Sequence, residues 1–284
     1  MGELRTKMDN DMILRGLSAR TRKSYLTAVR GIAKHYQKTP DSLSDEQVQA
    51  YLLYLYRDRK LAWNSCSIAV HGLRFFYHAT LGRDVTSFVI PKVGKKEERI
   101  PDILSQEEVA RLLSSVQNRK HRALLMTTYA AGLRASEVTQ LRVADIDSQR
   151  STIRIEQGKG SRDRYVPLSA RLLVELRSYW REYHPQHWLF AAQHTGEPLS
   201  VCTAQRAYAR AKERARITKN GGIHALRHAF ATHMIEAGVD IHAVQQLLGH
   251  RSLTATARYL HVTQKRLVRS SPLDLLRLPD ATRR

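Results

Sequence analysis

Residues 151–168, "STIRIEQGKGSRDRYVPL", have the pattern of a β-hairpin. Apolar residues alternate at Ile153 and Ile155, a polar glycine-rich segment follows, and strand-forming residues return at Tyr165 and Val166. Alternation with a period of two indicates a strand, and a short glycine-containing connection joins two antiparallel strands. The sequence therefore predicts a hairpin with Lys159 in or beside its turn.

Helices are predicted after this hairpin. Apolar residues recur at helical spacing in three segments, "ARLLVELRSYWREY" (170–183), "TAQRAYARAKERA" (203–215) and "ALRHAFATHMIEAG" (225–238). Gly238 ends the last of these, and Asp240 begins a further helix that Gly249 ends. Ser252 is placed to cap a final helix, which carries Tyr259. The predicted fold class is mainly α with a small β element, an α+β arrangement.

Capping signals also mark helices in the first part of the chain. Ser44 with Gln47, and Ser105 with Glu108, match the capping box that begins a helix. Before the first box, Ser18 precedes another periodic stretch. After it, the apolar segment "SIAVHGLRFFYHAT" predicts a third helix. The first ninety residues thus predict a small helical bundle.

The segment "IPKVGKKEERIP", residues 90–101, separates the two helical regions. Its two prolines, one glycine and dense charges, without an apolar period, are typical of a linker. The sequence predicts a helical domain over residues 1–92, a linker over 93–101, and a second domain with a C-terminal tail over 102–284.

The charge of the chain points to an anionic partner. The 284 residues include 47 lysines and arginines against 26 acidic residues, which gives a net charge of +21. The excess is spread over both halves of the chain, so it is not a detachable tail. A folded surface this positive favours nucleic acid as the partner.

Other classes of protein do not match the composition. No apolar run approaches 18 residues and no signal segment opens the chain, so a membrane partner is not expected. The two cysteines, Cys66 and Cys202, are far apart and form no CxxC pair, which predicts a reducing, cytoplasmic location.

Several segments of the second domain carry groups suited to cleaving a DNA phosphodiester. The candidates are Arg134, Lys159, His224, Arg227, His250 and Tyr259. A tyrosine hydroxyl can act as the nucleophile, and two guanidinium groups can stabilise charge on the non-bridging oxygens. A lysine or an imidazole can protonate the leaving 5′-oxygen. This set of side chains needs no metal ion.

Each candidate also has an ordinary interpretation when taken alone. Arg134 can pair with Glu137, and Lys159 can be a loop charge, because its "GKG" lacks the spacing of a phosphate-binding loop. His224 and His228 have zinc-compatible spacing, but no third ligand is evident, so no metal site is predicted. His228, His233 and His242 are interpreted as structural or surface histidines.

Taken together, five ordered motifs resemble the tyrosine recombinase (phage integrase) family. They read "GLRASE" (132–137), "GKGSRDRYVPL" (158–168), "HALRH" (224–228), "LGH" (248–250) and "ARYLHV" (257–262). The resemblance covers most of residues 100–265, and the first domain is similar to the family's SAM-like core-binding domain. The length is closest to Xer-like and transposon-borne enzymes, whereas the tail resembles integron integrases without their usual insertion.

The resemblance implies a role for each candidate. Arg134 and Arg227 would clamp the scissile phosphate, and Lys159 would protonate the 5′-oxygen. His224 would be an acid–base partner, and His250 would hydrogen-bond to the phosphate. Tyr259 would attack to give a 3′-phosphotyrosyl intermediate, which conserves bond energy, so that neither ATP nor another cofactor is needed.

The same resemblance implies an assembly on DNA. The partners would be paired recombination sites in double-stranded DNA, bound by a homo-tetramer that forms a Holliday junction, with a monomer or weak dimer in free solution. The DNA-binding candidates are Arg20, Arg22, Lys23, Arg74, Lys92, Lys95, Lys96 and Arg162. The protein would be cytoplasmic and associated with the nucleoid when bound to DNA.

Two alternatives share part of this evidence. A type IB topoisomerase uses a similar set of arginine, lysine, histidine and tyrosine to relax supercoils. An architectural DNA-binding protein would carry the tyrosine as an inert residue, which the complete set of six candidates disfavours. A compact helical first domain favours recombination over relaxation, because it would let two domains close around DNA.

Overall fold

The computed structural model describes residues 2–83, 102–156, 163–192 and 196–249, together with residues 252 and 256. The chain divides into two compact units, Met1–Arg99 and Ile100–Arg284. The predicted linker over residues 93–101 lies outside the described residues. No helix in the described ranges is both long and apolar enough to cross a membrane.

The first unit is helical. Its α-helices are α1 (Gly2–Leu14), α2 (Ala19–Tyr36), α3 (Asp45–Arg57) and α4 (Trp63–Arg74), and a π-helical segment, Phe75–Thr80, continues α4. Ser18 caps the start of α2, and the predicted Ser44–Gln47 capping box is confirmed at the start of α3.

Helix α1 was not expected from the sequence. Only Met8 and Met12, four residues apart, are buried along its length. Two apolar positions make too narrow a stripe to separate a helix from a polar tail. These two methionines join a core that includes Ile32, Leu52 and Val70.

The second unit combines seven helices with a small sheet in the described residues. The helices are α5 (Gln106–Ser114), α6 (Arg119–Ala130), α7 (Ala135–Thr139), α8 (Ala170–Tyr183), α9 (Val201–Arg214), α10 (His224–Glu236) and α11 (Ile241–Leu248). The Ser105–Glu108 capping box begins α5, Asp240 caps α11, and Gly249 ends it in the left-handed conformation. The predicted fold class is confirmed.

The sheet contains the predicted hairpin and one further strand. Strands β2 (Thr152–Ile155) and β3 (Arg164–Pro167) pair antiparallel, with Ile153 opposite Val166. The short strand β1 (Ile146–Asp147) pairs with the outer edge of β2. The sequence did not reveal β1, because two residues are too few to show alternation. Within β3, Val166 is buried and Tyr165 is exposed.

Helix α10 lies in the interior of the second unit. Eight of its residues are buried, among them Leu226, Arg227 and Ala229. A helix buried on more than one side has no polar face on which to place a long charged side chain in water. Arg227 must therefore find its hydrogen-bond partners inside the protein.

Candidate active site

Arg134 lies at the tight turn between α6 and α7, as the residue that precedes the first turn of α7. Two residues earlier, Gly132 has a φ of +60°. A Cβ atom at Gly132 would lie 2.4 Å from Cδ1 of Phe230 on α10. Glycine is needed on both counts, because a side chain would be strained and would also clash. The turn that carries Arg134 is thereby held against α10.

Arg227 is buried within the unit, with only 2% of its side chain exposed. Its Nη1 donates to the carbonyl of Gly132 at 2.8 Å, and its Nη2 donates to the carbonyl of Leu248 at 2.7 Å. The same guanidinium thus ties the turn before Arg134 to the end of α11. Because the guanidinium group is planar and its N–H bonds point in fixed directions, these two hydrogen bonds fix the orientation of the group.

A single carboxylate brings three arginines together. Oε1 of Glu137 lies 2.6 Å from Nη1 of Arg134, and Oε2 lies 3.6 Å from Nη1 of Arg227. Arg164 donates to both oxygens, at 3.1 Å and 2.8 Å. We call these four side chains the Glu137 cluster.

The cluster holds Glu137 in its charged form. Burial by itself would raise the pKa of this carboxyl, since Glu137 is only 10% exposed. The hydrogen bonds and charge of Arg164, with the backbone N–H and side chain of Arg134, outweigh burial and lower the pKa to about 2. The three guanidinium groups and one carboxylate together carry two net positive charges at neutral pH.

Two arginines of the cluster also bind the last carbonyls of α11. Nε of Arg164 donates to Leu247 at 2.8 Å, beside the bond from Arg227 to Leu248. Carbonyls at a helix C-terminus lack intrahelical partners and carry partial negative charge, so guanidinium groups stabilise them. The chain that leads into His250 is anchored by these bonds.

His224 begins α10 at its exposed end, one turn before Arg227. Partial burial lowers the pKa of its imidazole, and the positive charges of Arg227 and Arg134 lower it further, although Glu137 opposes them. The ring is therefore neutral at pH 7. It packs edge-on against His228, with ring centroids 5.4 Å apart. Among the described residues, no group of three or more potential ligands is arranged to hold a metal ion.

Three of the six predicted catalytic residues are thus brought into one region. Arg134 and Arg227 contact the same carboxylate, and both influence the charge state of His224. Lys159, His250 and Tyr259 lie outside the described residues, as does Arg162. The pair combines a buried guanidinium group fixed by hydrogen bonds, that of Arg227, with the partly exposed one of Arg134. Two such groups with net positive charge are suited to binding a phosphate.

Two members of the cluster, Glu137 and Arg164, have no role predicted from the sequence. Glu137 was considered only as a pairing partner for Arg134, and Arg164 was one letter of the hairpin motif. A signal for both was present, because each is a charged residue within one of the motifs, "GLRASE" and "GKGSRDRYVPL". The contact between them joins segments 27 positions apart in the chain, which the spacing of residues does not show.

Four DNA-binding candidates lie among the described residues of the first unit. Arg20 and Lys23 are exposed on α2, whereas Arg22 pairs with Asp9 of α1 at 3.2 Å. Arg74 is partly buried at the end of α4. The candidates Lys92, Lys95 and Lys96 lie outside the described residues.

Comparisons with known proteins agree with this geometry. Residues 102–266 match the phage integrase family, and residues 4–87 match the N-terminal SAM-like domain of phage integrases. "Putative integrase/recombinase y4qK" of Sinorhizobium fredii is 47% identical and covers 99% of this chain and 92% of its own. Tyrosine recombinase XerD of Oceanobacillus iheyensis is 34% identical, covering 90% of this chain and 92% of its own.

Solved structures show a similar fold. XerH recombinase bound to a palindromic difH substrate has a TM-score of 0.71 at 22% identity, covering 89% of this chain and 79% of its own. A lambda integrase tetramer bound to a Holliday junction has a TM-score of 0.72 at 19% identity, covering 91% and 76%.

Proposed function

The chain belongs to the phage integrase family and is a tyrosine-type site-specific DNA recombinase, and from that premise we propose how its own residues divide the reaction. Arg134 and Arg227 hold the scissile phosphate. The observation that carries this assignment is their shared contact with Glu137, which places two guanidinium groups in a cluster with two net positive charges. A pentavalent phosphate gains negative charge on its non-bridging oxygens, which these groups stabilise.

Tyr259 is the nucleophile in this proposal. Its phenolic oxygen attacks phosphorus, and the bond from phosphorus to the 5′-oxygen breaks. The products are a 3′-phosphotyrosyl ester and a 5′-hydroxyl. A 5′-hydroxyl of a second strand then attacks the ester and releases the tyrosine. The ester keeps the energy of the broken bond, so rejoining requires no nucleotide hydrolysis.

Two protons move during cleavage. Lys159 gives a proton to the departing 5′-oxygen, because an alkoxide is a poor leaving group. His224 takes the proton of Tyr259, a role suited to its lowered pKa and neutral ring. His250 donates a hydrogen bond to the phosphate. The assignments of Lys159, His250 and Tyr259 rest on the motifs that carry them.

We propose that recombination proceeds on paired DNA sites within a homo-tetramer. A relative of the same fold is a tetramer bound to a Holliday junction, and another is bound to a palindromic site. In the first unit, the exposed Arg20 and Lys23 are suited to contact DNA phosphates. The enzyme would act on nucleoid DNA in the cytoplasm.

The DNA that the protein binds in cells provides a direct test of this proposal. The DNA bound by the protein in cells is mapped, and the recovered site is placed on two duplexes in vitro. We expect exchange of strands between the duplexes, with a covalent protein–DNA adduct that persists in EDTA. Tyr259→Phe removes one oxygen and little volume, so DNA binding should remain while the adduct disappears.

Two results would contradict the assignment. If the Tyr259→Phe variant still forms the adduct, the nucleophile is another residue. If the site supports relaxation of supercoils without exchange between duplexes, the topoisomerase alternative is correct.

A further inference from the structure

Among the three arginine side chains, that of Arg164 makes the most complete contact with Glu137, although Arg164 is not among the residues assigned to the phosphate. Its Nη1 and Nη2 donate to the two carboxylate oxygens, and its Nε donates to the carbonyl of Leu247. Only 8% of its side chain is exposed. All of these contacts are internal to the protein, so Arg164 has the environment of a structural group placed beside a reactive one.

The other two arginines contact Glu137 less completely. The side chain of Arg134 reaches only Oε1, with 36% of that side chain exposed, while its backbone N–H binds Oε2. Arg227 approaches Oε2 at 3.6 Å, beyond hydrogen-bond distance. A carboxylate has a limited number of acceptor positions and a single negative charge. The bidentate contact with Arg164 occupies one position on each oxygen, and it offsets that charge.

We propose that Arg164 is a positioning residue that occupies Glu137, so that the carboxylate does not neutralise the phosphate clamp formed by Arg134 and Arg227. Without Arg164, Glu137 would turn fully toward Arg134 and Arg227. The cluster would then carry one net positive charge in place of two, and its carboxylate would compete with the phosphate for the same donors. This inference rests on the proposed function, because it assumes that Arg134 and Arg227 bind phosphate.

The position of Arg164 in the chain supports this role. It is the first residue of β3, opposite Ile155 of β2, and follows Lys159 by five positions in the chain. Its bond to Leu247 joins the base of the hairpin to the end of α11, which leads into His250. One side chain therefore links the turn of Arg134, the hairpin and the segment before His250.

The test measures the rate of covalent adduct formation on a nicked duplex that carries the recovered site. Arg164→Met should reduce the rate about 10²-fold, the effect of losing one well-aligned stabilising group. Adding Glu137→Gln removes the competing charge, and the double variant should recover at least about tenfold. Arg154→Met is the matched control, since Arg154 lies on the adjacent strand and pairs with Asp145, away from Glu137. It should stay close to wild type.

A second substrate separates the clamp from the hairpin. Sulfur in place of the bridging 5′-oxygen leaves without a proton, so it relieves defects that act through Lys159. The Arg164→Met defect should persist on this substrate. If Arg164→Met does not fold, Arg164→Lys replaces it in these measurements. Lysine keeps the positive charge but cannot hydrogen-bond to both oxygens of Glu137 and to the carbonyl of Leu247 together.

Inorganic phosphate gives a measurement that does not depend on catalysis. Titration of the full-length protein, followed by the Nε–H signals of its arginines in NMR spectra, should show about tenfold weaker binding in Arg164→Met. The double variant should restore it. If wild type forms no adduct, the proposed function fails, and this titration alone decides the role of Arg164.

Three outcomes would overturn the proposal. The double variant could be no better than Arg164→Met in both measurements, which indicates a purely structural role. Arg164→Met could match Arg154→Met. Sulfur could rescue Arg164→Met as fully as Lys159→Ala, which would mean that Arg164 acts through the hairpin.

Discussion

Two carboxylates of the second unit bind arginines in a similar local setting but with different charge balance. Glu137 and Asp145 are each the third residue of a short helical turn, and each accepts the backbone N–H three residues earlier, at 2.8 Å and 2.9 Å. Asp145 binds the side chain of Arg154 at 2.9 Å, which makes a neutral pair. Glu137 binds three guanidinium groups, which leaves two net positive charges.

The pair of Asp145 and Arg154 supports the fold, whereas the Glu137 cluster provides positive charge for binding an anion. A balanced pair satisfies its own charges and needs no ligand. A cluster with excess charge, held by fixed backbone carbonyls, carries a cost in the free protein that a bound anion relieves. In this unit, the excess positive charge around Glu137 therefore distinguishes the proposed phosphate site from the balanced pair of Asp145 and Arg154.

The largest expected effect distinguishes a positive charge that donates a proton, at Lys159, from one that stabilises the phosphate, at Arg134. Lys159→Ala should lose about 10²–10⁴-fold in cleavage rate, because a general acid contributes that much. On a substrate with bridging 5′-sulfur this defect should largely vanish, while that of Arg134→Ala should remain. Single-turnover cleavage of both substrates measures it. Equal rescue of both variants, or of neither, would make His224 the better candidate for the acid.

A smaller effect is expected on the stability of the second unit in acid. Glu137 has a folded-state pKa of about 2, lowered from 4.5, so its ionised form stabilises the fold above pH 4.5. That contribution, about 3 kcal/mol, is lost as the pH falls from 4.5 through 2. Glu137→Gln should lack this part of the pH dependence.

Urea unfolding over a pH series measures this loss. Of the three tryptophans, Trp180 and Trp188 lie in the second unit, and Trp63→Phe removes the signal of the first. An unchanged acid dependence in Glu137→Gln would mean that other carboxyls account for it.

The third prediction concerns His224 at the edge of the cluster. Its lowered pKa lies below 6.5, so the neutral ring predominates at pH 7 and is lost on acidification. If it accepts the proton of Tyr259, cleavage should fall by about tenfold per pH unit below its pKa. Glu137 raises this pKa, so Glu137→Gln should move the decline to lower pH. A decline unaffected by His224→Asn would assign it to another group.

The smallest effect is expected on the salt dependence of DNA binding, where exposed and ion-paired basic residues of the first unit should differ. Within the described ranges, Arg20 and Lys23 form no ion pair, whereas Arg22 pairs with Asp9. Arg20→Ala and Lys23→Ala should each reduce the slope of log binding constant against log salt by about 0.9, the value for one phosphate contact. Arg22→Ala should change it less. Slopes equal to that of wild type in Arg20→Ala and Lys23→Ala would show that this face of α2 does not contact DNA.

The local elements were accessible from the sequence, and the long-range contacts were not. The Ser44–Gln47 and Ser105–Glu108 boxes and the pair of strands around Ile153 and Val166 depend on neighbouring residues, so their patterns are visible in the chain. The roles of Arg134 and Arg227 as a pair came from motif resemblance. The bidentate hydrogen bond from Arg164 to Glu137 depends on how the hairpin is placed beside α7, which no local pattern encodes.

Gly132 sets a limit on how this enzyme could be retargeted by directed evolution. Any Cβ at this position would lie 2.4 Å from the ring of Phe230 and 3.1 Å from Leu248, in a backbone conformation that disfavours side chains. Substitutions at Gly132 should therefore destabilise the second unit, because both the backbone conformation and the ring of Phe230 exclude a side chain. Libraries directed to new DNA sites should therefore leave Gly132 unchanged.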